Sequence, residues 1–138
     1  MIYALDTNII IHYLHNETNV HRNFDVAVEQ NCRIIIPKIV DYEMRRGFST
    51  KPKPKKEKSY KILTEICIVT KMTDVSWEMA VRVYADLYRK RFTVGEMDIL
   101  IASFCLANDC TLVTNNTSDF KNIDKLRLVD WTMKGWQI

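Results

Sequence analysis

Four acidic residues occupy positions where a carboxylate is costly to bury and useful for chemistry: Asp6, Glu43, Asp98 and Asp119. Asp6 and Asp119 follow short apolar runs that predict buried strands, so both lie at the carboxyl edge of a parallel sheet, where α/β proteins bind ligands. Glu43 and Asp98 lie on apolar faces of predicted helices, where an unpaired carboxylate is expensive. We expect the four side chains to converge on one site.

Convergent carboxylates repel one another and take up protons unless cations neutralise the site. A set of oxygen ligands without His or Cys selects Mg²⁺ or Mn²⁺. A bound metal lowers the pKa of a water molecule, orients a phosphate and stabilises the leaving oxygen. The acidic residues therefore predict phosphodiester hydrolysis by a metal-activated water.

Positive charge is concentrated in one segment of this 138-residue chain, whose net charge is +3. Between Lys51 and Lys61 there are six lysines and one glutamate. Pro52 and Pro54 lie among them, so we expect a basic Lys/Pro loop over residues 49–57. Such a segment suits contact with nucleic acid, and a solvated surface loop is the alternative interpretation. The candidate phosphate contacts are Arg45, Arg46, Lys51, Lys53, Lys55 and Lys56, although the two arginines could equally complement a helix C-terminus.

Hydrophobic periodicity predicts the elements that position these residues. Strands are expected over residues 2–5, 32–36, 66–70, 111–114 and 126–129. Helices are expected over residues 7–14, 20–31, 37–47, 59–65, 74–91 and 95–108, with Gly47 ending the third and Asp74 or Ser76 capping the fifth. This alternation predicts an α/β fold with a central, mainly parallel sheet of four or five short strands flanked by helices.

Helical geometry assigns the faces of these helices. Asp98 shares a face with Ile101, Ala102 and Cys105, whereas Glu96 points away, because two residues turn a helix by about 200°. Glu43 lies on the inward face and Asp41 does not. The other inward side chains are expected to be Phe24, Ala27, Val28, Ile39, Val40 and Met44. A further stripe, either core or a dimer face, comprises Trp77, Ala80, Val81, Tyr84 and Leu87 or Tyr88.

The cysteines and the lengths of the apolar runs indicate the cellular environment of the protein. The four cysteines lack metal-ligand spacing and lie in apolar contexts, which predicts reduced core thiols. No run approaches the roughly 20 apolar residues of a membrane span, and no basic-then-apolar leader precedes the first strand, so we expect a cytoplasmic protein that does not contact membranes. Trp131 and Trp136 are expected to close the core.

Alternative functions remain open at this point. An aspartyl phosphatase would use an Asp-x-Asp motif, but Asn8 occupies the second position. A phospho-acceptor domain would need an aspartate ending a strand near residue 50, where prolines and lysines lie instead. An RNA-binding domain without catalytic activity is the third alternative. His12 and His15 have helical spacing but no third ligand, which favours ordinary surface histidines.

Four stretches resemble, in order and spacing, the PIN-domain nucleases, and most closely the VapC-type toxins of type II toxin–antitoxin pairs: LDTNIII, the Glu43 helix after a proline, GEMDILIASFCLA, and TLVTNNTSDF followed by VDW. The resemblance runs from Met1 to about Trp131. It implies a PIN-like three-layer fold in one domain over residues 1–138, a homodimer, and Mg²⁺- or Mn²⁺-dependent RNA cleavage. It also implies inhibition by a cognate antitoxin, with operator DNA contacted only through that partner. Among RNAs, tRNA is the leading substrate, followed by ribosomal or messenger RNA.

The resemblance also assigns site residues. Asp6, Glu43 and Asp98 match the first three acidic positions of the family and Asp119 matches the fourth, so these four are the predicted catalytic and metal-binding residues. The matching polar supports are Thr7, Asn8, Thr114 and Asn116. Other residues often fill the fourth acidic position, and the Lys/Pro segment at residues 51–56 has no counterpart in the family pattern.

Overall fold

A computed structural model describes residues 1–134, which form a five-stranded sheet and seven helices. The strands are β1 (Ile2–Leu5), β2 (Arg33–Pro37), β3 (Ile68–Thr70), β4 (Thr111–Val113) and β5 (Arg127–Val129). The helices are α1 (Thr7–Leu14), α2 (Thr18–Glu29), α3 (Lys38–Thr50), α4 (Pro54–Ile66), α5 (Asp74–Lys90), α6 (Glu96–Ala107) and the single turn α7 (Thr117–Phe120).

All strand pairings in the sheet are parallel, in the order β3-β2-β1-β4-β5. The chain moves outward from β1 to β3 and then crosses to β4, on the other side of β1. Ligands bind in α/β sheets beyond the carboxyl ends of the strands, where the strand order reverses. This reversal lies between β1 and β4, immediately before Asp6 and Thr114. The predicted α/β architecture is confirmed.

The core lies on both faces of the sheet, because β1 and β2 consist almost entirely of buried apolar residues. Such continuous runs suit parallel strands, which are covered by helices on each face. Trp131 is fully buried, with its ring centroid 5.4 Å from that of Tyr3. The prediction that Trp131 closes the core is confirmed, whereas Trp136 lies outside the described residues.

The predicted Lys/Pro loop over residues 49–57 is wrong. Helix α3 continues through Gly47 to Thr50, and α4 begins at Pro54, so residues 51–53 alone separate the two helices. Proline is well tolerated in the first turn of a helix, where its missing N–H has no partner. A glycine inside a helix costs only about 1 kcal/mol relative to alanine, which is too little to end α3.

Asp41 is buried, which corrects the expectation that it points away from the core. Its Oδ1 accepts a hydrogen bond of 2.7 Å from the Tyr60 hydroxyl, and its Oδ2 accepts one of 3.3 Å from Lys38 Nζ. These bonds supply the partners that a buried carboxylate requires. Burial and the adjacent Asp41 raise the pKa of Tyr60, which therefore stays protonated as a donor. The pair joins α3 to α4.

Two helix faces differ from their predicted positions. On α5 the buried residues are Ser76, Ala80, Val83 and Leu87, so the predicted stripe divides between a core face and an exposed face. Its exposed members are Trp77, Val81, Tyr84 and Tyr88. Val28 of α2 is also exposed, because that helix buries Phe24 and Ala27 instead. Aromatic and β-branched residues do not by themselves identify the face of a helix that packs into the core, because such residues can also form an exposed apolar face.

The cap of α5 also corrects the prediction. Thr73, rather than Asp74 or Ser76, is the N-cap, and its Oγ1 accepts a hydrogen bond of 3.3 Å from the Ser76 N–H. Threonine in this extended conformation satisfies one of the unpaired amides of the first turn. Of the four cysteines, Cys67, Cys105 and Cys110 are buried free thiols and Cys32 is half-buried. Within residues 1–134, every helix is too short or too polar to cross a membrane.

Candidate active site

Asp6 lies at the end of β1 and is only 4% exposed. It caps α1, because its Oδ1 accepts a hydrogen bond of 2.8 Å from the Thr7 N–H. Its Oδ2 accepts a second bond of 2.8 Å from the Thr114 hydroxyl at the end of β4. Burial raises the pKa of Asp6, the two hydrogen bonds oppose that shift, and the charges of Glu43 and Asp119 add to it. The helix cap and the site residue are the same carboxylate.

Glu43 reaches the same edge of the sheet from α3. The Thr7 hydroxyl donates a hydrogen bond of 2.9 Å to Glu43 Oε1. Arg46 Nη2 lies 4.0 Å from Glu43 Oε2, at the limit of an ion pair. Thr7 therefore links two acidic residues: its amide binds Asp6 and its hydroxyl binds Glu43.

Asp98 lies half-buried in the first turn of α6. Its pKa is raised from 3.8 to about 6, chiefly by burial and further by the charges of Asp6, Asp119 and Glu43. Glu96 is exposed and lines a separate cavity beside Tyr84. The structure thus places Asp98 with the other acids and Glu96 away from them, as the helical register predicts.

Asp119 is exposed on α7, and its charge raises the pKa of both Asp6 and Asp98. Asp98 is therefore within electrostatic range of the other three predicted acids, and Asp6 is within range of Glu43 and Asp119. Among residues 1–134, no three His, Cys, Asp or Glu side chains are close enough to form a ready-made metal cluster. Mg²⁺ usually binds through one or two carboxylates and keeps several waters, so this all-oxygen set fits it without tighter convergence.

The predicted polar supports lie around this acidic group. Thr114 is fully buried, and its Oγ1 also accepts a hydrogen bond of 3.0 Å from the Asn116 N–H. Asn8 lies half-buried in the first turn of α1. Sequence reasoning did not connect His12 with Asn115, whose Nδ2 lies 3.2 Å from His12 Nε2. The sequence does offer a hint of this contact, because Asn115 belongs to the polar run that follows β4.

The six predicted phosphate contacts divide into three groups. Arg45 lies 3.9 Å from Asp41, on a different face of α3 from Glu43, whereas Arg46 lies beside Glu43. Three lysines surround a cavity next to Thr7 and Glu43: Lys51, Lys53 and Lys56. Lys55 is exposed and does not line that cavity. Positive charge therefore borders the acidic group on the side of α3 and the start of α4.

Comparison with known proteins agrees with this geometry. Residues 3–126 match the family model described as "PIN domain". The chain belongs to the PIN-domain family. In this PIN domain the acidic residues lie near the carboxyl ends of β1 and β4, where the strand order reverses.

Individual relatives extend the match to the whole chain. This PIN domain is 34% identical over 137 residues to a protein named Ribonuclease VapC2 from Rickettsia felis, covering 95% of this chain and 98% of the relative. It is 26% identical over 136 residues to the tRNA(fMet)-specific endonuclease VapC of Shigella flexneri, covering 94% and 98%. The crystal structure of VapBC2 from Rickettsia felis bound to a promoter DNA fragment matches with a TM-score of 0.89 and 30% identity, covering 95% and 99%. The predicted resemblance to VapC-type PIN domains is confirmed.

The raised pKa of Asp98 makes the stability of the metal-free PIN domain depend on pH. In the unfolded chain this carboxyl titrates near 3.8, and in the folded chain near 6. Between these values the folded state holds a proton that the unfolded state has released, so its contribution to stability is lost as the pH rises through about 6. In EDTA, the melting temperature should fall as the pH rises from about 4 to about 6, and Asp98→Asn should reduce that fall. An equal pH dependence in both proteins would contradict this assignment.

Proposed function

We propose that this chain is a metal-dependent endoribonuclease toxin that is restrained by a cognate antitoxin. The observation that carries the proposal is the group of four acids at the reversal of strand order, with the pKa of Asp6 and of Asp98 raised. Raised carboxylate pKa values at the edge of a sheet are typical of functional sites rather than of solvated surface acids. The names of the VapC relatives support ribonuclease activity.

Asp6, Glu43, Asp98 and Asp119 would hold Mg²⁺, with Mn²⁺ as an alternative. The chemistry such an ion supplies when bound is a lowered pKa for water and neutralised charge on the phosphodiester. Hydrogen bonds within the chain orient the carboxylates that would hold the ion. Thr114 and Thr7 fix Asp6 through two hydrogen bonds of 2.8 Å, and Thr7 fixes Glu43 through one of 2.9 Å. Neutral donors hold the carboxylates in place without cancelling the charge that attracts a cation.

RNA is the proposed substrate, and tRNA is the first candidate. The endonuclease from Shigella flexneri, at 26% identity, is named for tRNA(fMet). The lysines beside Glu43 offer contacts to a polyanionic backbone on the same side as the acidic group. Sequence readout in RNA favours unpaired loops, whose bases are accessible.

Two single substitutions in the first turn of α6 test the proposed site. Asp98→Asn keeps the shape and removes one charge, so Mg²⁺-dependent cleavage of tRNA should fall by at least about 10–100-fold, the cost of losing even an outer partner of a metal ligand. Glu96→Gln should retain cleavage, because Glu96 lies away from the other acids. Mg²⁺ should raise the melting temperature of wild type and Glu96→Gln and leave that of Asp98→Asn nearly unchanged. Full cleavage in excess EDTA, or an active Asp98→Asn, would contradict the mechanism.

An antitoxin is the proposed protein partner, with operator DNA reached through it. The related structure from Rickettsia felis is a VapBC2 complex on promoter DNA. An anionic site open to solvent at Asp119 offers a place for an inserted Arg or Lys. Expression of this chain alone should arrest growth, and co-expression of the cognate antitoxin should restore it. Growth arrest by Asp98→Asn at equal protein levels would argue that toxicity does not depend on the acidic site.

A homodimer formed through α5 is also proposed. Its outer face exposes Trp77, Val81, Tyr84 and Tyr88, and Tyr84 and Tyr88 stack with ring centroids 6.3 Å apart. A contiguous exposed aromatic stripe of this kind is typical of protein interfaces.

Tyr84→Glu should convert the dimer to a monomer in sedimentation velocity, because it places a charge in the centre of that face. Val28→Glu is the matched control, since Val28 is a comparably exposed apolar residue on α2. A dimer that survives Tyr84→Glu would exclude this face as the interface.

A further inference from the structure

A cavity of about 360 Å³ lies between α1, α3 and the start of α4, and it shares Thr7 and Glu43 with the acidic group. Its floor is apolar and consists of Ile11, Leu14, Met44 and Phe48. This volume is at the small end of the range of about 300–1,000 Å³ typical of small-molecule sites. The cavity therefore suits a group of modest size, held beside the acidic residues.

The rim of the cavity is basic. Lys51, Lys53 and Lys56 line it together with His15, and Lys56 Nζ lies 3.0 Å from His15 Nδ1. Glu43 is the one acid in the lining, and it faces the site where a phosphodiester would be cleaved. An apolar floor under a cationic rim matches a molecule with flat, stackable groups on a polyanionic backbone.

We propose that this cavity holds one unpaired nucleobase of the RNA, adjacent to the phosphodiester that is cleaved. The inference rests on the proposed endoribonuclease function and adds the feature of the substrate that the chain selects. The base would stack on the apolar floor, and the lysines would contact the flanking phosphates. The acidic group supplies no base recognition, so selection of a cleavage position falls to this neighbouring cavity.

Phe48, on the floor of the cavity, is held in place before RNA binds. The Phe48 ring packs against that of Tyr60, with centroids 5.9 Å apart. Tyr60 in turn donates its hydrogen bond of 2.7 Å to the buried Asp41. Because α3 carries both Phe48 and Glu43, one helix contributes side chains to the cavity and to the acidic group. A base in the cavity would thus be positioned relative to the scissile phosphate.

Gly47 provides a way to fill the cavity without disturbing the fold. It lines the cavity from the interior of α3, and a Cβ at this position would meet no atom within 4 Å. Phenylalanine also has a higher helix propensity than glycine. Gly47→Phe should therefore fold and occupy the space proposed for the base. Ser49→Phe is the matched control, because Ser49 is exposed on α3 and lines a different cavity.

The test measures binding of a fluorescein-labelled anticodon stem–loop RNA in EDTA, where the proposed cleavage is stopped. Loop nucleotides are replaced one at a time by abasic residues, and melting temperatures verify the fold of each variant. For wild type and Ser49→Phe, one abasic position should weaken binding about tenfold, the order expected for one stacked base. Gly47→Phe should weaken binding of the intact RNA by the same factor, and that abasic position should then have no further effect.

The lysine rim is tested in a salt titration of the same RNA. The double variant Lys53→Gln/Lys56→Gln should flatten the dependence of binding on salt, because fewer counterions are released. The double variant Lys58→Gln/Lys61→Gln removes the same charge from positions on α4 that do not line the cavity, and its slope should stay closer to that of wild type.

Several outcomes would overturn the inference. The first is that the wild-type protein does not bind the RNA. The second is that Gly47→Phe and the abasic residue each weaken binding independently of the other. The third is that Gly47→Phe binds the RNA as tightly as wild type. If Gly47→Phe loses only the antitoxin, the cavity belongs to that protein and not to RNA. If base-dependent binding is as expected but Mg²⁺ produces no cleavage, the proposed enzymatic function fails while the nucleobase cavity stands.

Discussion

Repulsion among carboxylates at one edge of a parallel sheet is the constraint on which the rest of this structure depends. Parallel strands bring every carboxyl end to the same edge, so acids that follow different strands cannot avoid one another. Helix N-termini offset part of this cost, because their partial positive charge faces the same edge. Asp6 caps α1 and Asp98 lies in the first turn of α6. The fold that gathers the acids also supplies the dipoles that make their proximity tolerable.

Hydroxyl donors, rather than cationic side chains, hold the acidic group in place. Thr114 and Thr7 bind Asp6 and Glu43 at hydrogen-bond distance, whereas the nearest arginine contact, from Arg46, is 4.0 Å long. A close Arg or Lys would neutralise part of the negative charge by which the proposed site would attract a metal ion. The site is thereby kept anionic while its geometry is fixed. Positive charge lies instead on the lysines of the neighbouring cavity, where the proposed RNA substrate would be bound.

The sequence predicted the features that depend on local pattern. Strand ends and helical spacing predict where Asp6, Glu43, Asp98 and Asp119 lie on their elements, and the family resemblance assigns the four acids to one site. The predictions failed where tertiary packing decides. Residues 49–57 were assigned to a loop because two prolines lie there, yet Pro54 starts α4. The aromatic stripe of α5 faces outward, because α5 packs into the core through Ala80, Val83 and Leu87 instead. The Asp41–Tyr60 hydrogen bond joins residues 19 apart, and no periodicity encodes such a pair.

Helix α3 places Asp41 and Phe48 on one face, where both meet Tyr60, and Glu43 on another, where it meets Thr7. One added or deleted residue would rotate everything beyond it by about 100° and break this correspondence. Residues 51–53 carry no such restriction, because they join two helices without belonging to either. Evolutionary change in length within this part of the chain should therefore accumulate at residues 51–53, while α3 accepts substitutions and keeps its length.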